Sequence, residues 1–392
     1  MFFVHGFLFA SWTAHIPHLK QHLELGDGRL GFALLAAPIG SVLALAVAGR
    51  FLPTVGSRRM VRLALLGYCV SGPFIGLAGS LATFFLAFLL WGFFQGMLDV
   101  SMNTQAIAVE RFSGRVLMPG FHGSWSTGAL VGALTGAVAV GLGVSLSEQL
   151  LVLAMPCLLV VGWLTTWMFP DRTGSGPDSS EAASSRRRSV VRGAVLVLGG
   201  IAFADMLCEG AAADWAAVYL HGTLHVVPLV AGLGFAAYAL AMVVTRLAGN
   251  RLFTRFRAHR LLPLLAVVAT LGFATGLVID RPLSVLVGFA LLGAGIGCVV
   301  PMVLSAAGSV DDVDTGRAVA AVAGCGWAGY VVGPVVIGGI ASATTLHTAL
   351  FLIPLLTATV AIATGTAGAL RHPVSGPSGA PMTEPGMGTL RR

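Results

Sequence analysis

Apolar runs long enough to cross a bilayer recur along the whole chain and leave few alternatives for its fold. The run 82–109 contains one charge, and at about 1.5 Å per residue it can cross a hydrocarbon core of roughly 30 Å. Only 10% of the residues are charged, whereas a soluble domain carries about 25%. We therefore expect an all-α membrane protein whose apolar surface faces lipid.

The runs predict twelve transmembrane helices, six on either side of the longest polar break. They are 1–17, 29–49, 61–79, 82–108, 119–143, 147–169, 193–219, 226–249, 261–279, 283–308, 317–342 and 345–370. This predicts an N-terminal six-helix bundle (1–169), a cytoplasmic linker loop (170–192), a C-terminal six-helix bundle (193–370) and a disordered cytoplasmic tail (371–392). Because the first run begins at Met1 without a basic flank, we expect translation to start upstream.

The two halves repeat at a constant offset. Gly31 corresponds to Gly232, an offset of 232 − 31 = 201 residues. The same offset relates five further glycine pairs, which are Gly92 and Gly293, Gly96 and Gly297, Gly123 and Gly324, Gly128 and Gly329, and Gly132 and Gly333. Small residues spaced four apart let helices approach closely. The repeat predicts two pseudo-symmetric six-helix bundles.

The basic residues predict the orientation. If the 170–192 break is cytoplasmic, 20 of the 23 Lys and Arg residues lie on that side, and Lys20, Arg29 and Arg281 lie outside. This is a strong positive-inside signal with both termini in the cytoplasm. The abundance of Arg over Lys is typical of a GC-rich bacterium, so we expect a bacterial plasma membrane. The net charge of +7 thus reflects orientation, and we expect no nucleic-acid partner.

Three acids near the middle of the predicted spans are candidates for proton coupling. Asp99 shares one helix face with Gln95 and Asn103, because the three are spaced i, i+4 and i+8. Asp205 and Glu209 lie on one face of span seven. A carboxylate within the bilayer costs at least a few kcal/mol, and burial favours its protonated form. Each acid can therefore carry a proton, or can instead be locked in an interhelical hydrogen bond.

Polar and aromatic side chains in the spans are candidates for substrate binding. They are Gln95, Asn103, His122, Trp125, Trp12, Tyr238, Trp327 and Tyr330. For each aromatic residue plain packing is the alternative. We expect no Lys or Arg at the depth of the acids, because Arg246 is close enough to its helix end to snorkel. Neutral polar solutes, cations and protons are then favoured over anions.

The chain lacks the sequence signatures of a soluble enzyme. It has no Gly-Lys-Ser/Thr phosphate loop, and His122-Gly-Ser124 lacks the strand–turn–helix context of a hydrolase elbow. The five cysteines fall within apolar runs without metal-ligand spacing. We therefore expect no enzymatic activity, no cofactor and no metal.

At this point the chain resembles a major facilitator superfamily transporter over all twelve spans, and is most similar to the fucose–proton symporter family. In that family span four carries an acid followed four residues later by Asn, as Asp99 and Asn103 do here. The resemblance implies a proton-coupling role for Asp99 and sugar-contact positions for His122 and Trp125. The second acid of the family corresponds to Thr13, so Asp205 or Glu209 would have to replace it.

Two further motifs depart from the symporter pattern. The loop after span two, 49–58, lacks the Asp of the usual superfamily motif, so its cytoplasmic latch is weakened or built differently. Gly329-Tyr-Val-Val-Gly333-Pro334 is similar to a motif that drug antiporters carry in span five.

These features predict a secondary active transporter that works by alternating access and is proton-coupled. Its partners are the lipid bilayer, protons and a small neutral or cationic solute, with sugar-like uptake. The alternative is proton-driven efflux of a drug or secondary metabolite. A different class, a non-transporting membrane sensor or scaffold, would carry a sizeable extra domain, and neither 170–192 nor 371–392 is long enough for one.

Overall fold

The computed structural model describes residues 1–113, 117–169, 188–308, 310 and 315–370, and within them it is almost entirely helical. The helices are α1 (Phe2–Ser11), α2 (Ile16–His22), α3 (Asp27–Leu34), α4 (Ala36–Val55), α5 (Ser57–Gly76), α6 (Leu81–Ser113), α7 (Met118–Gly141), α8 (Leu146–Leu164), α9 (Arg188–Val218), α10 (Pro228–Arg255), α11 (Ala258–Ile279), α12 (Pro282–Ile296), α13 (Val299–Gly308), α14 (Thr315–Ala343), α15 (Leu346–Leu350) and α16 (Leu352–Thr366). The all-α membrane fold is thereby confirmed.

Ten helical segments among the described residues are long and apolar enough to cross a membrane. The two other predicted spans are α5, which begins with a basic turn, and the segment formed by α1 and α2. Helical spans suit lipid because they pair their backbone polar groups within the segment. Most of the predicted linker, 170–187, and the predicted tail, 371–392, lie outside the described residues.

Proline explains the breaks inside four spans. It has no N–H group, so the carbonyl four residues earlier loses its helical partner. Each break lies within five residues before a proline, namely Pro17, Pro38, Pro301 and Pro354. The first of them turns the predicted continuous span 1–17 into two short helices joined by the 3₁₀ turn Thr13–His15.

The sequence repeat returns as a repeat of helix contacts. A Cβ added to Gly92 would overlap Ala37, and a Cβ added to its equivalent Gly293 would overlap the Tyr238 carbonyl oxygen. The partners obey the same offset, since 37 + 201 = 238. Glycine at these positions therefore lets α6 approach α4 and α12 approach α10 at equivalent points of two pseudo-symmetric bundles.

The two bundles also contact each other through equivalent positions. Gly31 on α3 lies against Gly338 on α14, and its equivalent Gly232 on α10 lies against Ala137 on α7. Since 137 + 201 = 338, the α3–α14 and α7–α10 contacts are related by the repeat. These contacts close the interface at the end that the arginine distribution predicts to be outer.

Side chains near the opposite end join α5 and α6 to the C-terminus of α8. The Arg62 Nε donates to Thr165 Oγ1 at 2.7 Å, and the Arg58 Nη2 donates to the Thr166 carbonyl at 3.1 Å. The Gln105 Nε2 donates to the Phe169 carbonyl at 3.2 Å. Carbonyls at a helix C-terminus carry partial negative charge and attract arginine. The loop 49–58 lacks the Asp of the usual superfamily motif, and these hydrogen bonds can form the cytoplasmic latch in its place.

Candidate substrate cavity

A cavity of about 270 Å³ lies between the two bundles. Its walls come from α1, α3, α4, α6 and α7 on one side and α9, α10, α13 and α14 on the other. Nine of the predicted site residues line it, namely Trp12, Gln95, Asp99, Asn103, His122, Trp125, Glu209, Trp327 and Tyr330. The structure therefore brings side chains from both halves to one solute-sized space.

The polar face of α6 forms part of the wall. Gln95, Asp99 and Asn103 all line the cavity, as their helical spacing requires. The Asn103 Nδ2 donates to the Asp99 backbone carbonyl at 2.8 Å and to Asp99 Oδ1 at 3.2 Å. Asn103 thus orients the carboxyl group within its own helix, and no interhelical hydrogen bond to Asp99 is found among the described residues.

The acids of α9 divide into two groups. Glu209 and Asp214 line the cavity. Asp205 is only 3% exposed, is not part of the lining, and its Oδ1 has no hydrogen-bond partner among the described residues.

Tyr238 of α10 also lies behind the cavity wall, since it is fully buried and absent from the lining. Tyr238 is therefore not positioned to stack on a solute in this conformation.

Arg246 lines the cavity, and the expectation that no basic residue lies at this depth is wrong. The helix α10 continues nine residues beyond Arg246 to Arg255, a distance of about 13 Å. The Arg246 side chain is therefore too far from the end of the helix for snorkelling to explain its position. The Arg246 Nε donates to the Gly297 carbonyl at 2.7 Å. This carbonyl has no helical donor because residue 301 is proline and has no N–H group. The Nη1 donates to Ser126 Oγ at 2.6 Å across the interface between the halves.

The cavity still carries more acid than base. Asp99, Glu209 and Asp214 line it, against the single cation Arg246 among the described lining residues. Arg246 also lies close enough to Asp205 and Glu209 to interact with both electrostatically. With all groups ionised the lining carries an excess of two negative charges, 3 − 1. Such a site favours cations and proton uptake, while Arg246 offers one place for a negative group.

His5 is a cavity residue that the sequence reasoning left out of the site. It lines the wall beside Trp125, whose Nε1 donates to His5 Nδ1 at 2.7 Å. A histidine within an uncharged apolar run was the available signal. By contrast His122, on the same helix as Trp125, lines the cavity with an exposed side chain.

Aromatic rings connect the two halves across the cavity. The ring of Phe9 lies 5.7 Å from that of Trp125 and 6.4 Å from that of Tyr330, which in turn lies 6.0 Å from Trp327. Phe9 and Trp125 belong to the first half, and Tyr330 and Trp327 to the second. This contact would have to change if the halves rocked about the cavity.

Two pseudo-symmetric helix bundles around a solute-sized cavity that carries both charged and aromatic side chains define a secondary transporter fold. The chain belongs to the Major Facilitator Superfamily, whose sequence profile matches residues 1–310. It is 34% identical to an uncharacterized MFS-type transporter of Yersinia pestis, with 92% of each chain covered. It is 33% identical to the membrane protein MosC of Rhizobium meliloti, with 90% of this chain and 84% of MosC covered.

Solved structures share the fold at low sequence identity. The nucleoside transporter NupG superposes with a TM-score of 0.69 at 12% identity, covering 93% of this chain and 96% of NupG. A bacterial homologue of the human lysosomal transporter Spinster, in an inward-facing and unoccupied conformation, superposes with a TM-score of 0.63 at 15% identity, with 94% of each chain covered. These similarities show the arrangement of the helices.

Proposed function

We propose that this protein is a proton-coupled secondary transporter that carries a small neutral or cationic polar solute by alternating access through the central cavity. The single observation that carries this proposal is the excess of carboxyl groups on the cavity wall, Asp99, Glu209 and Asp214 against Arg246. Carboxyls in a low-dielectric cavity can bind a proton on one side of the membrane and release it on the other.

Within this proposal Asp99 is the primary proton carrier, and Glu209 and the buried Asp205 form a second acidic pair near Arg246. Asp99 lines the cavity, and Asn103 orients its carboxyl from the next helical turn. The resemblance of this pair to the fucose–proton symporter motif supports the same role. Gln95, Asn103, His122, Trp125, Trp12, Trp327 and Tyr330 are the proposed solute contacts.

We propose uptake across a bacterial plasma membrane, with both termini in the cytoplasm. Asn103 and His122 line the cavity and lie near the ends of their spans at which the basic residues gather. The closed interface at Gly31 and Gly338 then faces outwards. Efflux of a cationic metabolite is the second candidate, favoured by the Gly329 to Pro334 motif on α14.

The test is solute flux in reconstituted vesicles with an imposed pH gradient. Asp99→Asn should abolish the dependence of flux on the gradient, because the amide cannot exchange a proton. Asp99→Glu should keep this dependence, since it keeps the carboxyl. If Asp99→Asn vesicles respond to the gradient as the wild type does, Asp99 is not the proton carrier. The direction of gradient-driven flux separates uptake from efflux.

A further inference from the structure

Asp214 is a carboxyl on the cavity wall to which the proposed proton coupling gives no role of its own. Its side chain is 8% exposed and lines the cavity, and its oxygens are not sealed from solvent. Asp99 accepts a hydrogen bond from Asn103, and Glu209 interacts electrostatically with Arg246. Asp214 has neither kind of partner among the described residues. It therefore presents an unpaired carboxyl to the cavity.

Helical spacing places Asp214 on the face of α9 that meets Tyr330 of α14. Gly210 is one turn earlier on α9, and a Cβ built on it lies 3.4 Å from the Tyr330 ring. Both Asp214 and Glu209 lie close enough to Tyr330 to interact with it electrostatically. Carboxyl groups and an aromatic ring therefore share this part of the wall.

Three further aromatic rings extend this part of the wall across both halves. The Tyr330 ring lies 6.0 Å from that of Trp327 and 6.4 Å from that of Phe9, which lies 5.7 Å from that of Trp125. All four rings line the cavity, and all four are partly exposed, with Trp327 at 39%. A solute in the cavity can therefore reach their surfaces.

We infer that Asp214 and the rings of Phe9, Tyr330 and Trp327 form a subsite for the ammonium group of a small organic cation, an inference that rests on the proposed transport function. A buried carboxylate without a partner is unfavourable, and a cationic solute supplies the missing partner. Aromatic rings attract the same cation through their negative faces, and more strongly where water is excluded.

The size of the cavity limits the cation to a compact one. Its volume of about 270 Å³ lies below the range of about 300–1,000 Å³ that is typical of pockets for drug-sized ligands. An ammonium group with a short alkyl or hydroxyalkyl chain meets this limit.

The subsite separates recognition of the solute from transfer of the proton. Asp99 belongs to the first half and has a donor on its own helix, whereas Asp214 belongs to the second half and has none. The cation pairs with Asp214, so Asp99 stays available to bind and release a proton. Loss of the Asp214 charge should therefore weaken solute binding and leave the response to a pH gradient intact.

The experiment measures binding of choline, ethanolamine, dimethylbutanol and D-glucose to the purified full-length protein by titration calorimetry. Dimethylbutanol is the neutral analogue in which carbon replaces the choline nitrogen, so the two differ in charge but hardly in shape. We expect choline or ethanolamine to bind, and both neutral compounds to bind roughly tenfold more weakly or not at all.

Two pairs of variants test the carboxyl and the ring. Asp214→Asn keeps the shape but removes the charge, and should weaken binding of the ammonium compound roughly tenfold. Asp214→Glu keeps the charge and should recover part of the loss. Tyr330→Leu removes the ring and should weaken binding roughly fivefold, whereas Tyr330→Phe keeps a ring and should bind nearly as well as the wild type.

Asp27→Asn is the matched control. Asp27 forms a salt bridge with Lys20, contacts Gly338 at the closed end of the interface, and does not line the cavity. The substitution removes the same charge at a distance from the rings, so the affinity should stay unchanged. A loss in Asp27→Asn equal to that in Asp214→Asn would mean that overall charge controls binding, and would overturn the subsite.

Flux in vesicles separates the subsite from the proposed function. Asp214→Asn should need a higher concentration of the cation but should still respond to the pH gradient. Loss of that response at unchanged affinity would make Asp214 a proton carrier and would overturn the subsite.

Three results of the calorimetry also overturn the subsite. They are equal affinity for choline and dimethylbutanol, binding of D-glucose alone, and binding of none of the four compounds. Gradient-driven flux of another solute would still support transport in all three cases. Absence of flux for every solute that binds would instead overturn the proposed function.

Discussion

Arg246 is held by two acceptors that belong to different parts of the molecule. One is the Gly297 carbonyl of its own half, and the other is the Ser126 hydroxyl of the opposite half. A guanidinium can donate to both at once because its N–H groups form a planar fork, whereas the compact ammonium of lysine cannot match that geometry. Arg246 therefore joins the acidic pair of α9 to the interface between the bundles.

We expect Arg246→Lys to reduce flux more than tenfold while the protein remains folded, because the charge is kept and the two-point contact is lost. Ser126→Ala removes the contact between the halves together with the hydroxyl's hydrogen bond to the His122 carbonyl of its own helix, and should reduce flux less. The measurements are flux in vesicles and thermal unfolding in detergent.

The control for Ser126→Ala is Ser101→Ala. Ser101 is also buried, but its hydroxyl donates to the Met97 carbonyl of its own helix at 2.8 Å. Equal flux in Ser126→Ala, Ser101→Ala and wild type would contradict a role for the Arg246–Ser126 contact.

The sequence predicted site residues where helical spacing alone decides, and missed those that depend on contacts between helices. Gln95, Asp99 and Asn103 share a face by spacing, and all three line the cavity. Arg246 was placed at the wrong depth, because its position depends on the Gly297 carbonyl that a proline on another helix leaves unpaired. No spacing along α10 contains that information.

Among the features of the helices, the sequence predicted the close crossings best. Apart from Gly123 and Gly324, glycines matched at the 201-residue offset became matched contacts, because only a residue without Cβ fits where backbones touch. The interruptions within spans were less predictable. The first predicted span ends at Pro17, yet the chain continues as helix to His22. Proline ends the hydrogen-bond ladder locally, and the neighbouring helices decide whether the chain continues in the same direction.

The repeat offers an internal control for these crossings. A Cβ at Gly128 would overlap the Phe3 carbonyl oxygen, and one at Gly329 would overlap that of Phe203. Gly128→Ala and Gly329→Ala should each destabilise the protein by about 1–3 kcal/mol, because the helix pair must separate. Thermal unfolding in detergent measures the change.

The matched controls lie five residues earlier on the same helices. A Cβ at Gly123 or Gly324 meets no atom within 4 Å. Alanine there should leave stability unchanged or raise it by up to about 1 kcal/mol, because alanine favours helix more than glycine does. Destabilisation at all four positions alike would contradict the argument that close backbone contact is what requires glycine.

At the scale of the whole molecule, alternating access requires the bundles to separate where they now touch. Contacts at the closed end involve α3 and α14, and a Cβ built on Gly28 lies 3.1 Å from the Cβ of Ser342. That distance is within a few tenths of an ångström of the Cβ separation in disulfides, about 3.5–4.5 Å. The pair therefore offers a covalent test of whether this interface opens during transport.

The double variant Gly28→Cys, Ser342→Cys should carry solute when reduced and stop when oxidised, because the disulfide holds the closed end shut. Dithiothreitol should restore flux, and mass spectrometry of the cross-linked peptides should confirm the bond. Each single variant, treated with the same oxidant, controls for the five native cysteines, none of which forms a disulfide. Wild-type flux through the fully oxidised double variant would show that transport proceeds without separation of α3 from α14, and would exclude rocking about this interface.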